Sequence, residues 1–300
     1  MAVFTGSGAA VCTPFHGMGA FNYDAYDKLI RFQIKNGTDA IVACGTTGEA
    51  STLEDDEHIE VVRAAVAITK QAAAEGMRKI PVIAGSGGNN TQHCINLGRE
   101  LVKAGADACM LVAPYYNKTT QKGLIEHYSA IAAALPVPIV VYNIPIRTVL
   151  NIQPKTVYAL SKIENITAIK EGSGDIAQIA EIIERCGDAL DVYAGNDDYI
   201  VPVLSLGGKG VISTAANIAP AQVHDMVMRY IDGDVKGAAA AQLKMMALIR
   251  ALFSEVNPIP VKAALNLMGF NMGRCRQPLT AMDETLFEEL KRQMAEYGLL

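Results

Sequence analysis

Tryptophan is absent from this 300-residue chain, and aromatic residues make up only 6% of it. Charged residues are also sparse at 19%, against 50% hydrophobic, a balance that excludes a disordered chain and places it among ordinary globular proteins. Basic blocks are missing too. None is longer than the pair Arg78 and Lys79, and with a formal net charge of -5 no surface is expected that would bind a phosphate backbone. Nucleic acid is therefore not an expected partner. The longest apolar run, Ala130 to Tyr142, is broken by Pro136 and Pro138 and is too short to cross a bilayer. The first ten residues, MAVFTGSGAA, have neither a basic stretch nor a continuous apolar core, so no secretion signal or transit peptide is expected and the reading is cytoplasmic. None of the six cysteines forms a CxxC. Cys12, Cys44 and Cys109 sit in apolar strand-like runs, which argues for buried reduced thiols.

What the chain does contain is a succession of short apolar runs, each followed by a stretch with helical spacing. The runs are Ala9 to Thr13, Ala40 to Ala43, Pro81 to Gly85, Ala108 to Val112, Ile139 to Tyr142, Ile166 to Lys170, Val192 to Gly195 and Gly210 to Ser213. About eight such units close a barrel, and their unbroken apolar character suits parallel strands covered on both faces. Between them His58 to Ala74 repeats Ile59, Val62, Val66 and Ile68 along one side, with Asp55 and Asp56 ahead of it where a helix dipole favours acid. Helical patterns continue after the last run over Ala219 to Tyr230, Val235 to Phe253 and Asp283 to Tyr297, and the prolines at 258 and 260 mark a helix start near Val261. The expectation is an α/β (β/α)8 TIM barrel with a C-terminal helical extension. The barrel core occupies 1-218; the last barrel helix and the extension occupy 219-300, as one structural unit.

Chemistry in such barrels sits at the C-terminal ends of the strands. The second exit reads Gly45, Thr46, Thr47, Gly48, Glu49; the fourth Pro114, Tyr115, Tyr116, Asn117; the fifth Tyr142 through Arg147; the sixth Lys170, Glu171, Gly172, Ser173, Gly174. Lys170 follows Thr167, Ala168 and Ile169, so its stem lies in a strand and its amine reaches the mouth with little water around it. Desolvation disfavours a charged amine, and a neutral amine can attack a carbonyl to form a Schiff base. A lone strand-end lysine more often snorkels to solvent or pairs with a neighbour such as Glu171; the company of the other exits reverses that preference. The glycines around Thr46 and Thr47 let a small carboxylate approach, although a hydroxyl-capped turn would read the same. Tyr142 could relay protons with Thr46, or be core. Arg147 offers a bidentate fork for a second carboxylate. Gly172, Gly174 and Ala177 match a weak dinucleotide fingerprint, but it lies past the middle of the chain and behind a lysine where that fold wants an apolar residue.

Taken in order, AAVCTPF, GTTGEASTL, PVIAGSG, PYYNK, YNIPIRT, AIKEGSG, YAGND, GVIS and NPIPVK resemble the dihydrodipicolinate synthase and N-acetylneuraminate lyase family of pyruvate-dependent class I aldolases. The resemblance spans nearly the whole chain. Within the family, Arg147 and the doubled threonine look like the synthases, whereas the sialic acid lyases have Ser-Thr in the loop and no arginine at that place. The resemblance implies condensation of pyruvate with L-aspartate 4-semialdehyde on the route to diaminopimelate and lysine, with no metal or organic cofactor. It implies Lys170 as the Schiff-base nucleophile, Tyr142 as proton shuttle through Thr46 and Tyr116, and Thr47 holding the pyruvate carboxylate. Arg147 would bind the semialdehyde, and Gly195, Ile212 and Asn257 would complete the substrate site. Because the tyrosine matching Tyr116 enters a neighbouring subunit's site, a homodimer is the minimum unit and a homotetramer the usual one.

Lysine-inhibited members bind the effector through positions matching Ala50, Ser51, Asp55, His58, Asn89, His93 and Tyr115. This chain has His93 where those enzymes use glutamate, and Asp55 where a larger side chain is usual, so weak or absent inhibition is expected. Val149 stands where a glycine often follows RT. Three rivals remain: a sibling aldolase acting on a sugar acid such as N-acetylneuraminate or a 2-keto-3-deoxy acid, which would not need Arg147; a dehydrogenase; and a noncatalytic carboxylate sensor.

Overall fold

The computed structural model describes residues 3–17 and 19–300. Eight parallel strands pair in sequence order, and the last closes on the first: β1 (Gly6–Ala10), β2 (Ala40–Ala43), β3 (Val82–Gly85), β4 (Ala108–Val112), β5 (Ile139–Asn143), β6 (Ile166–Glu171), β7 (Asp191–Ala194) and β8 (Gly210–Ser213). Seven agree with the apolar runs to within a residue at each end. The exception is β1, expected over Ala9 to Thr13 and found at Gly6–Ala10. Gly6, Ser7 and Gly8 have poor strand character, but the barrel demands them. A Cβ on Gly8 would lie 2.8 Å from the Phe4 ring, and one on Gly6, at φ +118°, would lie 2.0 Å from the Asp39 carboxylate.

Alternate residues of each strand serve two separate cores. Ala40, Val42, Ile83, Met110, Val140, Tyr142, Ala168, Tyr193 and Ile212 fill the interior of the barrel. Their neighbours, among them Ile41, Ala84, Cys109, Leu111, Val141, Ile169 and Val192, pack outwards against the helices. The interior is solid at its lower end, where Phe4, just ahead of β1, stacks on Tyr193 with ring centroids 4.4 Å apart, and the Tyr193 hydroxyl donates to the Phe4 carbonyl.

The surrounding helices are α1 (Tyr23–Lys35), α2 (Asp55–Ala74), α3 (Thr91–Lys103), α4 (Gln121–Ala134), α5 (Pro145–Thr148), α6 (Pro154–Leu160), α7 (Ile176–Cys186), α8 (Ile200–Ser205) and α9 (Pro220–Ile231). Side-chain caps set several starts: Asn22 accepts from the Ala25 amide, and Asp175 from those of Ala177 and Gln178. Helix α2 begins at Asp55 rather than His58, with three acids in its first turn. Beyond the barrel come α10 (Val235–Leu252), α11 (Ile259–Leu267) and α12 (Glu284–Tyr297), with α12 packed on both α10 and α11. Helix α11 starts two residues before the expected Val261, at the end of the Asn257 to Pro260 segment. All six cysteines are buried and free. Among the described residues no helix is long and apolar enough to cross a membrane.

Candidate active site

Strand alternation decides where Lys170 and Glu171 go. Ala168 is part of the barrel interior, so Lys170, two residues on, shares its inward face, while Glu171 turns outward. Lys170 is in register with Tyr142 on β5 and Tyr193 on β7. Its Nζ lies 4.3 Å from the centroid of the Tyr142 ring, and the residue is 6% exposed. The amine does not pair with Glu171, whose carboxylate accepts from Asn143 Nδ2 at 3.0 Å and from the Ser173 amide at 2.7 Å. Burial pushes the Glu171 carboxyl up, against the pull of those donors. This network ties the exits of β5 and β6 together, one residue beyond Tyr142 and Lys170.

The second exit folds into a compact turn. The Gly48 and Ala50 amides both donate to the Gly45 carbonyl, and the Thr13 hydroxyl donates to that of Gly48. Thr47 is thereby buried and faces Thr214 beyond β8, with their hydroxyls 3.4 Å apart. The Asn257 side-chain amide donates to Thr47 Oγ1 at 3.0 Å. Thr214 is held in turn by Asp197, a fully buried carboxylate that accepts from the Thr214 and Ala215 amides and from the Ser213 hydroxyl. Burial pushes the Asp197 carboxyl up, while these donors and the Lys170 charge oppose the shift. Sequence reading passed over both Asp197 and Thr214. The acid was in view within YAGND, but its partners lie 16 to 18 residues on, across a strand.

Lys170, Tyr142, Thr46, Thr47, Arg147, Gly195 and Asn257 all line one cavity of about 580 Å³ at the C-terminal end of the barrel. Arg147, on α5, projects over its rim and donates from Nη2 to the Asn257 carbonyl at 3.2 Å. Asn257 therefore touches the groups expected to hold each substrate: its side chain reaches Thr47 and its carbonyl reaches Arg147. The Asn257 Oδ1 atom is buried without a partner among the described residues, leaving an acceptor free for a ligand. Two expected residues lie elsewhere. Ile212 is packed in the barrel interior beneath the cavity, and Tyr116, at φ +68°, is 91% exposed and lines neither this cavity nor the next.

Ala50, Ser51, Asp55, His58, Asn89, His93 and Tyr115 come together around an adjoining cavity of about 490 Å³, which shares Thr46, Tyr142 and Arg147 with the first. Inside it His93 Nε2 lies 2.9 Å from Asp55 Oδ1. His58 Nε2 lies 2.7 Å from the Gly85 carbonyl, and burial holds its imidazole below the ordinary value. Val149, which ends α5, takes φ +55°, a left-handed conformation that is an outlier for a β-branched residue.

The match to the dihydrodipicolinate synthetase family covers residues 3–297. The 4-hydroxy-tetrahydrodipicolinate synthase of Lachnoclostridium phytofermentans is 52% identical over 301 residues, with 100% of each chain covered. Among solved structures, the dihydrodipicolinate synthase of Acinetobacter baumannii complexed with pyruvate is similar at a TM-score of 0.94 and 38% identity, over 99% of each chain. The enzyme of Cyanidioschyzon merolae with lysine bound matches at a TM-score of 0.95 and 37% identity, over 100% of each chain.

Proposed function

The chain belongs to the dihydrodipicolinate synthetase family, and from that premise we propose how its cavity performs the condensation for which its relatives are named. The protein is a lyase that joins pyruvate to L-aspartate 4-semialdehyde, giving 4-hydroxy-tetrahydrodipicolinate in diaminopimelate and lysine biosynthesis. One observation carries the assignment of roles. A single buried amine lies against a tyrosine ring in a cavity that is also lined by Thr47 and Arg147.

In this reading Thr47, oriented by Asn257 and Thr214, holds the pyruvate carboxylate, and Lys170 attacks the keto carbon and expels water to give an imine. The imine acidifies the pyruvate methyl group. Tyr142 and Thr46, which line the same cavity, move the proton, and the resulting enamine carbon bonds to the aldehyde carbon. Arg147 grips the semialdehyde carboxylate with its planar fork. The semialdehyde's own amine then displaces Lys170 from the imine carbon, closing the ring and freeing the enzyme. Glu171 and Asn143 keep Tyr142 and Lys170 opposite each other through the bonds between the strand exits.

Tyr116 serves a second copy of the chain. Its exposure, with that of Ile146 in α5 and Val149 at its end, supports a homodimer at least, with a homotetramer of two such dimers as the expected assembly; the biosynthetic role fits action in the cytoplasm. The adjoining cavity gathers the positions of a candidate effector site, at which weak or absent inhibition by lysine is expected.

The test is borohydride reduction in the presence of pyruvate, followed by peptide mass mapping. A mass gain confined to the peptide holding Lys170 supports the nucleophile; active protein with no gain there sinks it. Turnover with aspartate semialdehyde, compared with N-acetylmannosamine and glyceraldehyde, separates this reaction from that of a sugar-acid aldolase.

A further inference from the structure

Lys170 is not the only lysine taken out of water. Lys262, on α11, is almost wholly buried, and its Nζ donates to Glu49 Oε1 at 2.6 Å, a carboxylate that is itself fully buried. Glu49 is the last residue of GTTGE and sits at φ +55°, two positions after Thr47. Its other oxygen accepts from the Arg276 amide at 2.8 Å, while Lys262 also donates to the Arg274 carbonyl at 3.1 Å and lies over the Phe15 ring at 4.2 Å. The loop is thus attached to the C-terminal extension at two points. Thr47 is bonded to Asn257, just ahead of α11, and Glu49 is bonded to Lys262 one turn into that helix.

A buried ion pair is a poor source of stability, because the desolvation of both charges offsets their attraction and an apolar pair of the same shape often does as well. What the pair does supply is a strong, directional contact between the loop and α11. We propose that Glu49 and Lys262 form a positioning pair for the reaction, holding the left-handed turn at Glu49 so that the Thr47 hydroxyl stays aimed into the cavity beside Lys170. The pair touches no substrate. It acts through Thr47, and so on pyruvate rather than on the aldehyde, which Arg147 holds. The proposal rests on the reading of Thr47 as the pyruvate carboxylate site.

The experiment compares wild type with Glu49→Gln/Lys262→Met, which removes both charges while keeping the volume and the acceptor for Arg276. Melting temperature, steady-state constants for both substrates, and the rate of borohydride trapping at subsaturating pyruvate are measured. The double variant is expected to melt within a few degrees of wild type, with the pyruvate KM raised about tenfold, trapping slowed in proportion and the aldehyde KM changed by less than about twofold. Should the double variant fail to fold, Glu49→Gln alone is read by the same criteria. A folded variant whose pyruvate KM and trapping rate stay within about twofold of wild type overturns the proposal, since misplacement of the loop should cost more than that. Failure of both variants to fold also overturns it, because the pair then belongs to stability. Wild-type protein that pyruvate and borohydride never label would instead sink the pyruvate reading, a separate result.

Discussion

Replacing Arg147 by alanine should weaken the enzyme for one substrate and largely spare the other. The guanidinium stands at the rim of the cavity, more than a third exposed, with one hydrogen bond to the Asn257 carbonyl. A hydrogen bond to a charged group is worth about 1.5 to 3 kcal/mol net, and the wet position of this one puts it near the lower end. At about 1.4 kcal/mol per factor of ten, the aldehyde KM should rise about tenfold. Because the same carboxylate is held before and during bond formation, this is uniform binding, so kcat should change little. The lost bond to Asn257 reaches Thr47 only indirectly, so the pyruvate KM should move by no more than about threefold. Arg147→Lys keeps the charge but not the fork and should recover part of the loss. The assay is steady-state turnover with each substrate varied at saturating levels of the other. An aldehyde KM unchanged in Arg147→Ala, or a pyruvate KM that rises equally, would refute the assignment.

Three further outcomes follow from the geometry. L-lysine should inhibit weakly or not at all, because His93 stands where a glutamate would meet its ammonium and is itself hydrogen-bonded to Asp55; a titration with half-inhibition below about millimolar would overturn this, being tighter than the roughly −4 kcal/mol such a weak contact set supplies. Val149→Gly should raise the melting temperature by about 2 °C, since relief of left-handed strain worth about 1 to 3 kcal/mol outweighs the added freedom of glycine in the unfolded chain; a lower melting temperature would show that the strain is not there. His127 is buried with Nε2 unpartnered, and burial holds its imidazole below the ordinary value of about 6.5. A depressed histidine stabilises the fold above that value and loses the contribution as pH falls towards its folded-state value. The melting-temperature gap between wild type and His127→Gln should therefore narrow from neutral pH to about pH 5, and a gap independent of pH would refute it.

The barrel was legible because parallel strands buried on both faces are written as short unbroken apolar runs. Ala40–Ala43, Ala108–Val112 and Gly210–Ser213 could be bounded to the residue. The miss at β1 has the opposite cause: glycine there answers to the folded positions of the Phe4 ring and the distant Asp39 carboxylate, which no strand pattern announces. Among site residues, those at strand exits could be found because alternation aims them and the motifs surround them. Residues that act by holding others could not. Glu49 stands in plain view within GTTGE, but its partner lies 213 positions away, and nothing short-range announces that pairing. The one available hint was Lys262 itself, a lysine among Ile259, Val261, Ala263 and Ala264 on a helix with little else polar. Asp197 belongs to the same class, since its function is to hold Thr214.

The stacked pair of Phe4 and Tyr193 has a bearing on traffic through the enzyme. With the lower barrel filled by packed rings, Lys170 stands at the closed end of a well whose opening is overhung by Arg147. Whichever substrate is needed at the amine must descend before the one that is gripped at the rim, and the finished ring must leave past the same arginine. With Lys170 and Arg147 in their proposed roles, order of addition becomes a queue in a blind passage, closed below by rings that never meet either molecule.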